Sequence, residues 1–355
     1  MDIIIAGGSN SILRNGYIKQ LTNEMRRHFA DINIRNISAG GTTSISMFSR
    51  LAEIGGRADL IIFEYSLNDT GHINHLPDPC AKRQIFLDLF FHACTRFFPE
   101  ARVLPVILSS KPFYNLSIQN YVYIHEISYY KNMGINFVDA RQALSDIFGD
   151  SAPDLLYSDV AHFHQGIASA LLGNLIAAGA RLTMATPRSI RAMQIKSVKI
   201  AENIDLLPVY ESSRSIIKSG GLNVKSVALQ NRHVSVEALE IRADQTFTFH
   251  FNGWPICLYF ASDTYHGCLR MRVGQADIFV ETRHIDTIEG KFLFTSIPLL
   301  LNESYMKFMD VSSQQIVLSL ANNSTETFQF DCFERSLGSA QGVKLIGILG
   351  LKAQS

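Results

Sequence analysis

The chain is poor in features that mark several classes of protein. Its 32 Lys and Arg residues balance its 32 Asp and Glu residues, so the formal net charge is zero. A nucleic-acid-binding domain normally carries a basic patch, and this balance argues against nucleic acid as a partner. No apolar run approaches the length of a membrane-spanning helix, which predicts a chain without a transmembrane segment.

The N-terminus also lacks the pattern of a secretory signal. The first hydrophobic run is short, follows Asp2 rather than Lys or Arg, and has the pattern of a core strand. We therefore expect a cytoplasmic protein.

Cysteine is scarce and scattered. The five cysteines are odd in number and include no Cys-x-x-Cys pair, which predicts neither a disulfide framework nor a zinc knuckle. Buried free thiols are expected instead, with no metal and no other cofactor. The five are Cys80, Cys94, Cys257, Cys268 and Cys332.

The N-terminal half of the chain alternates between strand and helix patterns. The run Ile3-Ile4-Ile5 predicts a buried strand, and apolar residues at helical spacing from Tyr17 to Phe29 predict the helix that follows it. Repeated strand–helix units joined by short loops favour a mostly parallel sheet. Right-handed crossovers then predict an α/β domain over residues 1–182, a three-layer αβα sandwich with helices on both faces.

The pattern changes near Arg181. Residues 183–199 contain Pro187 and several basic residues with little periodicity, which predicts a linker between domains. From residue 200 to residue 355, short β-type runs alternate with turn residues. This spacing predicts a β-rich accessory domain, either a β-sandwich or a jelly roll.

Polar residues follow three of the predicted strands, and one further polar segment precedes the last helix of the first domain. Because the carboxyl ends of parallel strands meet at one edge of a sheet, where open α/β folds hold their ligands, we expect these segments to lie together. The segments are Gly7-Gly8-Ser9, Asn36 with Gly41, Ser66-Leu67-Asn68-Asp69, and Asp159 with His162.

In content and order these four segments resemble the motif blocks of the SGNH hydrolases, also called GDSL-type esterases. The family has a Gly-x-Ser motif, an Asn with a Gly five residues later, a Gly-x-Asn-Asp motif and an Asp-x-x-His motif. The resemblance covers the N-terminal half only, and it implies the SGNH/flavodoxin-like form of the αβα sandwich. Two positions depart from the family pattern: Gly8 stands where many members carry Asp, and Ser66 stands where Gly is usual.

The resemblance implies a role for each matched residue. Ser9 is the nucleophile and His162 is the base that takes its proton. Asp159 holds the imidazole ring in the required tautomer and stabilises the imidazolium. The backbone N–H groups of Ser9 and Gly41 and the side-chain amide of Asn68 form the oxyanion hole.

Other polar residues compete for these roles. His164 is an alternative base, or a partner of His162 in a metal site, although no carboxylate or thiol cluster stands at ligand spacing. Asp69 is expected to shape the turn around Asn68. Further candidates are His72 and His75 for substrate contact, and Asp139, Asp150 and Asp154 for the acid of the triad.

The expected reaction is hydrolysis of a short acyl ester, most simply an O-acetyl group on a carbohydrate. The breadth of the family suggests the ester, and the β-rich second domain suggests the sugar by analogy. Aromatic residues near Trp254 (Phe251, Tyr259 and Phe260) form either a sugar-stacking platform or sandwich core. An O-acyltransferase acting on a bacterial polysaccharide or its precursor is an alternative, and a non-catalytic carbohydrate-binding or assembly module is another.

Overall fold

A computed structural model of the chain describes residues 1–115, 119–149, 154–186, 190, 198–201, 204–220, 225–231, 233–263, 267–285, 287, 291–321, 333–334 and 342–355. The chain divides into two compact units, Met1–Lys196 and Ser197–Ser355. The boundaries at residues 182 and 199 stay predictions, since much of the predicted linker lies outside the described residues. Asp150 and Cys332 lie outside them as well.

Strands and helices alternate through the first unit, as the sequence predicts. The elements are β1 (Asp2–Gly7), α1 (Tyr17–Arg26), β2 (Asn33–Asn36), α2 (Ser46–Ile54), β3 (Leu60–Glu64), α3 (Ser66–Ile73), α4 (Pro79–Phe97), β4 (Arg102–Ile107), α5 (Tyr121–Met133), β5 (Val138–Asp139), α6 (Ala140–Phe148) and α7 (Ile167–Ala185).

The five strands form one sheet in the order β2-β1-β3-β4-β5, and every pairing in it is parallel. Ile5 of β1 pairs with Asn36 of β2 on one side and with Ile62 of β3 on the other. β3 is buried along its whole length, because a parallel sheet with helices on both faces leaves no exposed side. The predicted three-layer αβα sandwich is confirmed.

Helices α1 and α7 pack closely against each other beside the sheet. A methyl group at Gly173 of α7 would lie 2.8 Å from the carbonyl oxygen of Tyr17, so glycine is needed for this approach. By length and composition, α7 is the one helix of the described residues that is apolar enough to cross a membrane. Its residues Ala168, Leu172 and Ile176 belong to the buried core of the first unit, which favours a core helix.

The second unit is built mainly of antiparallel strands. Its elements are β6 (Val198–Ala201), β7 (Ile204–Ser212), α8 (Ser213–Gly220), β8 (Ser226–Gln230), β9 (Ser235–Ile241), β10 (Thr246–Asn252), β11 (Trp254–Ser262), β12 (Cys268–Val273), β13 (Ala276–Glu281), β14 (Arg283–His284), β15 (Leu293–Ile297), α9 (Glu303–Met306), β16 (Ser313–Ala321), β17 (Phe333–Glu334) and β18 (Val343–Ala353).

Two larger sheets contain most of these strands. One has the order β10-β16-β12-β13, and the other has the order β15-β11-β18-β7-β6, with β9 also paired to β18 and β8 paired to β9. The β-rich second domain predicted from the sequence is therefore confirmed.

The aromatic residues near the single tryptophan lie inside this second unit. Trp254 is 1% exposed and stacks on Tyr305 with 5.1 Å between the ring centroids. Phe251, Tyr259 and Phe260 are buried to the same degree. They form core, which was one of the two interpretations of the sequence, and they offer no exposed platform for a sugar.

Candidate active site

Ser9 stands at the carboxyl end of β1, in a short 3₁₀ turn over Ser9–Ser11. The backbone N–H of Gly8 donates to the carbonyl oxygen of Glu64 at 2.8 Å, which ties the start of the turn to the end of β3. Ser9 itself is half-buried while Asn10 and Ser11 are buried. The turn therefore presents one hydroxyl at the edge of the sheet.

The space beside the residue before this serine is occupied by another side chain. A methyl group at Gly8 would lie 2.0 Å from Oδ1 of Asn68. The backbone of Gly8 is extended (φ −84°, ψ −153°), a conformation open to any residue, so the Asn68 amide and not the backbone excludes a side chain.

The carboxylate of Asp159 and the ring of His162 form a hydrogen-bonded pair. Nδ1 of His162 lies 2.8 Å from Oδ2 of Asp159, and Oδ1 accepts from the backbone N–H groups of Ala161 (2.8 Å) and His162 (2.7 Å). Burial raises the pKa of Asp159, but these hydrogen bonds outweigh it and lower that pKa below its ordinary value. In the tautomer that donates its Nδ1–H to this carboxylate, Nε2 of His162 carries the ring's lone pair.

Backbone hydrogen bonds fix the loop that carries His162. Tyr157 and Phe163 form an antiparallel bridge across its base, with their rings 4.6 Å apart. The carbonyl oxygen of His162 accepts from the backbone N–H of Ser158 at 2.9 Å and from its hydroxyl at 3.2 Å. The backbone N–H of Lys111, after β4, also donates to the carbonyl oxygen of Val160 at 2.9 Å, which ties the loop to the edge of the sheet.

Asn10 joins this loop to the turn that carries Ser9. Its side chain is buried, donates from Nδ2 to the carbonyl oxygen of Ala161 at 3.1 Å and accepts at Oδ1 from the backbone N–H of Phe163 at 2.9 Å. Within the described part of the chain, no hydrogen bond joins the Ser9 hydroxyl to the His162 ring. The structure thus brings the two proposed catalytic segments to one place through the residue beside the serine.

The glycine segment after β2 passes beside Ser9. A methyl group at Gly40 would lie 3.2 Å from Cβ of Ser9, and Gly41 has a left-handed backbone (φ +67°) that favours glycine. Asn36 anchors the start of this segment by donating from Nδ2 to the carbonyl oxygen of Ser11 at 2.8 Å. The second predicted block therefore lies against the turn that carries Ser9.

Asn68 lies in the first turn of α3 and is 8% exposed. Its Nδ2 donates to the carbonyl oxygen of Thr42 at 3.2 Å, while its buried Oδ1 has no hydrogen-bond partner among the described residues. An amide nitrogen carries two N–H groups, so this bond leaves a second donor for a substrate. The role of Asn68 as an oxyanion donor stays a prediction.

Asp69 is occupied by structural contacts. Its carboxylate accepts from the backbone N–H of Ser44 at 2.8 Å and pairs with the buried guanidinium of Arg83. Arg83 also pairs with the buried carboxylate of Glu126. These contacts connect the loop after β2 with helices α3, α4 and α5 beneath the candidate site.

Glu64 lies beside the candidate site, although no sequence motif indicates it. It is fully buried, and its Oε2 accepts from the Ser11 hydroxyl at 2.8 Å and from the Gly8 N–H at 3.3 Å. Burial raises the pKa of Glu64 to about 8, although the hydrogen bonds from Ser11 and Gly8 work against this rise. The available signal was its position, a charged residue that ends the apolar run Leu60–Phe63.

The competing carboxylates have other partners. Asp139 accepts from the Gln142 N–H at the start of α6 and from the Tyr123 hydroxyl, and Asp154 pairs with Lys111. Asp159 is the carboxylate that contacts His162.

The other histidines near the motifs lie in different settings. His164 and His75 are exposed, and His72 is half-buried on α3. In the described part of the chain, no group of three or more His, Cys, Asp or Glu residues is arranged to hold a metal ion.

No protein-family model and no curated protein sequence matches the chain. Among solved structures, a two-domain esterase active on acetylated mannans matches at a TM-score of 0.62 and 14% identity, over 100% of this chain and 91% of that one. An acetyl xylan esterase from Geobacillus stearothermophilus matches at a TM-score of 0.41 and 13% identity, over 52% of this chain and 94% of that one. A putative lipolytic protein of the G-D-S-L family from Desulfitobacterium hafniense matches at a TM-score of 0.38 and 18% identity, over 50% of this chain and 98% of that one.

The first of these matches, at a TM-score of 0.62, shows a shared fold. The first match covers both units, so the chain has the fold of a two-domain esterase along its whole length. The fold that the resemblance predicts for the N-terminal part is confirmed.

Proposed function

We propose that the chain is a serine esterase that works through an acyl-enzyme. His162 takes the proton of the Ser9 hydroxyl at Nε2 while the Ser9 oxygen attacks the ester carbonyl, and Asp159 stabilises the imidazolium that forms. The Ser9 and Gly41 N–H groups and the Asn68 amide stabilise the oxyanion. His162 then returns the proton to the leaving alcohol. Water attacks the acyl-enzyme with His162 again as the base, the bond between the acyl carbon and the Ser9 oxygen breaks, and His162 gives the proton back to Ser9 as the carboxylic acid leaves.

One observation carries this proposal: the hydrogen-bonded Asp159–His162 pair sits on a loop that is bonded to the residue directly after Ser9. A solvated His–Asp pair alone has no chemical consequence, and neither does a serine in a turn. Acyl transfer requires a base with an oriented ring near the hydroxyl that it deprotonates, and the bonds from Asn10 bring the loop of His162 to the turn of Ser9.

The proposed substrate class is an O-acetyl ester of a carbohydrate. This proposal is supported by the match over both units to an esterase that acts on acetylated mannans. That relationship is one of fold, at 14% identity.

The reaction is tested with the intact chain and p-nitrophenyl acetate. We expect Ser9→Ala to lose at least about 10³-fold in kcat, as removal of a serine nucleophile does in other enzymes. A fluorophosphonate probe should label the native chain and leave Ser9→Ala unlabelled. Ser49→Ala, which removes a buried helix hydroxyl bonded to the Ser46 carbonyl, is the matched control and should keep full activity. A native chain that the probe does not label at Ser9 contradicts the proposal.

The carbohydrate part of the proposal has a separate test. Acetate release from acetylated mannan oligosaccharides should be measured beside p-nitrophenyl acetate hydrolysis, with Ser9→Ala as the blank. Hydrolysis of the small ester without release from the oligosaccharide contradicts the substrate class and leaves the mechanism standing. Acetyl transfer from p-nitrophenyl acetate to an added oligosaccharide, in place of transfer to water, identifies an acyltransferase.

A further inference from the structure

The side chain of Asn10 is committed to the histidine loop and to nothing in its own turn. Its two polar atoms bind the residues on either side of His162: Nδ2 donates to the carbonyl of Ala161 and Oδ1 accepts from the N–H of Phe163. The partners lie 151 and 153 residues away along the chain. The side chain is 2% exposed, so water does not compete for these bonds.

The turn itself is closed by other groups. The Ser11 N–H donates to the Gly8 carbonyl at 3.1 Å, and the Ile12 N–H donates to the Ser9 carbonyl at 3.2 Å. Asparagine in a turn usually bonds to backbone two or three residues away, which is not what Asn10 does. Local turn chemistry therefore does not account for an amide at this position.

The histidine loop is equally independent of Asn10 for its internal order. The Asp159–His162 pair and the Ser158 bonds to the His162 carbonyl are all made within the loop. The Lys111 N–H also donates to the Val160 carbonyl of this loop at 2.9 Å, so removal of the Asn10 amide should leave the pair intact and the loop attached after β4, while its bonds to the serine turn are lost. The quantity that changes is the distance between the Ser9 oxygen and Nε2 of His162.

We infer that Asn10 is a positioning residue that sets the distance between the Ser9 oxygen and Nε2 of His162. This inference rests on the proposed function and extends it to a residue outside the triad and the oxyanion hole. An amide is required because one end donates and the other accepts: aspartate lacks the donor, and leucine lacks both. Proton transfer needs heavy atoms within hydrogen-bond reach, so a small shift of the loop acts on the rate.

The test compares Asn10→Ala with Asn120→Ala in the intact chain. Asn120 is also a buried asparagine with a backbone partner, since it accepts from the Tyr123 N–H at 3.0 Å at the start of α5. We expect Asn10→Ala to lower kcat by about 10- to 100-fold, as a misplacement of about 1 Å does, with KM within about twofold of the native value. Fluorophosphonate labelling of Ser9 should slow in parallel. Asn120→Ala should lower the melting temperature about as much as Asn10→Ala does, and it should keep the native kcat.

Three results separate the inference from the function on which it rests. A native chain that the probe does not label overturns the proposed function. A labelled native chain with unchanged kcat in Asn10→Ala, or with the whole loss in KM, overturns the role of Asn10 alone. If Asn10→Ala does not fold, Asn10→Asp keeps the size of the side chain and the acceptor for Phe163, and unchanged kcat in that variant also overturns the inference.

Discussion

The Asn68 side chain occupies the space that a side chain at residue 8 would need. The position a Cβ would take at residue 8 lies 2.0 Å from Oδ1 of Asn68 and 2.6 Å from its Cγ. The backbone conformation of Gly8 is open to any residue, so the obstacle to a methyl group there is the Asn68 amide. An alanine at residue 8 therefore displaces this amide. The amide that would move is the one assigned to the oxyanion, so a change at residue 8 tests that assignment.

We predict that Gly8→Ala lowers kcat about as much as Asn68→Ala, by about 10²- to 10³-fold, the usual effect of removing one oxyanion donor. The double variant should be no worse than either single variant, because both remove the same interaction. The measurement is kcat with p-nitrophenyl acetate for the three variants. Native kcat in Asn68→Ala would show that the amide is not the donor.

The buried carboxyl of Glu64 makes stability depend on pH. Its pKa is raised by burial from an ordinary 4.5 to about 8, so between these values the folded chain binds a proton that the unfolded chain has lost. The contribution of Glu64 to stability is therefore complete below about pH 4.5 and is lost as pH rises through about 8. Tyr17, Tyr65 and Glu126 are the titratable groups that interact with it.

We predict that Glu64→Gln flattens the fall in unfolding free energy between about pH 6.5 and 8, a fall of up to about 1.4 kcal/mol per pH unit in the native chain. Urea unfolding at a series of pH values measures it. Asp88→Asn is the matched control, since burial raises the pKa of Asp88 only to about 6, so that its effect lies below that pH. Equal slopes for Glu64→Gln and the native chain above pH 6.5 would contradict the raised pKa.

Among the elements of the first unit, three helices meet at one buried arginine. Arg83 of α4 pairs with Asp69 of α3 and with Glu126 of α5, and all three side chains are at most 1% exposed. Removing one partner from such a group leaves buried charge without compensation. Because Asp69 also holds the Ser44 N–H, the same group supports the loop that lies against Ser9.

We predict that Arg83→Met destabilises the chain by about 3–5 kcal/mol, the usual cost of breaking a buried ion pair. The control is Arg27→Ala, which removes an exposed pair with Glu24 and should cost about 0–1 kcal/mol. Denaturant titration compares the two. A loss of less than about 1 kcal/mol in Arg83→Met would place this group in the class of exposed pairs.

The elements that the sequence predicted are those set by local patterns. β1 and β3 come from aliphatic runs, and α1 comes from apolar residues at helical spacing, so neighbouring residues suffice to define them. Helix α8 lies among short β-type runs and was not predicted, because eight residues give a weak periodic signal. The predicted residues of the candidate site likewise lie at strand ends and helix starts, where the motifs are local.

Contacts between distant residues could not be predicted in the same way. Asn10 meets its partners across more than 150 residues, and Glu64 meets Ser11 across 53. The space for a side chain at residue 8 is taken by Asn68, which belongs to a different strand-end segment. Such contacts depend on how the parallel strands are ordered, and no pattern within a short window contains that information.

At the scale of the whole molecule, the candidate site belongs to one of the two units. Ser9, Gly41, Asn68, Asp159 and His162 all fall within Met1–Lys196. This unit has its own buried core, which includes residues from β1, α1, β3, β4 and α7. A unit with a complete core of this size is able to fold alone.

We therefore predict that a chain ending after Lys196 unfolds in one cooperative transition and hydrolyses p-nitrophenyl acetate with kcat within about tenfold of the intact chain. A small ester needs only the nucleophile, base and oxyanion donors, all of which this fragment contains. Ser9→Ala in the same fragment is the blank, and circular dichroism establishes that the fragment is folded. A folded fragment without activity would show that the second unit contributes to the reacting centre. A folded, active fragment that no longer releases acetate from oligosaccharides the intact chain deacetylates would assign the second unit to binding the sugar chain.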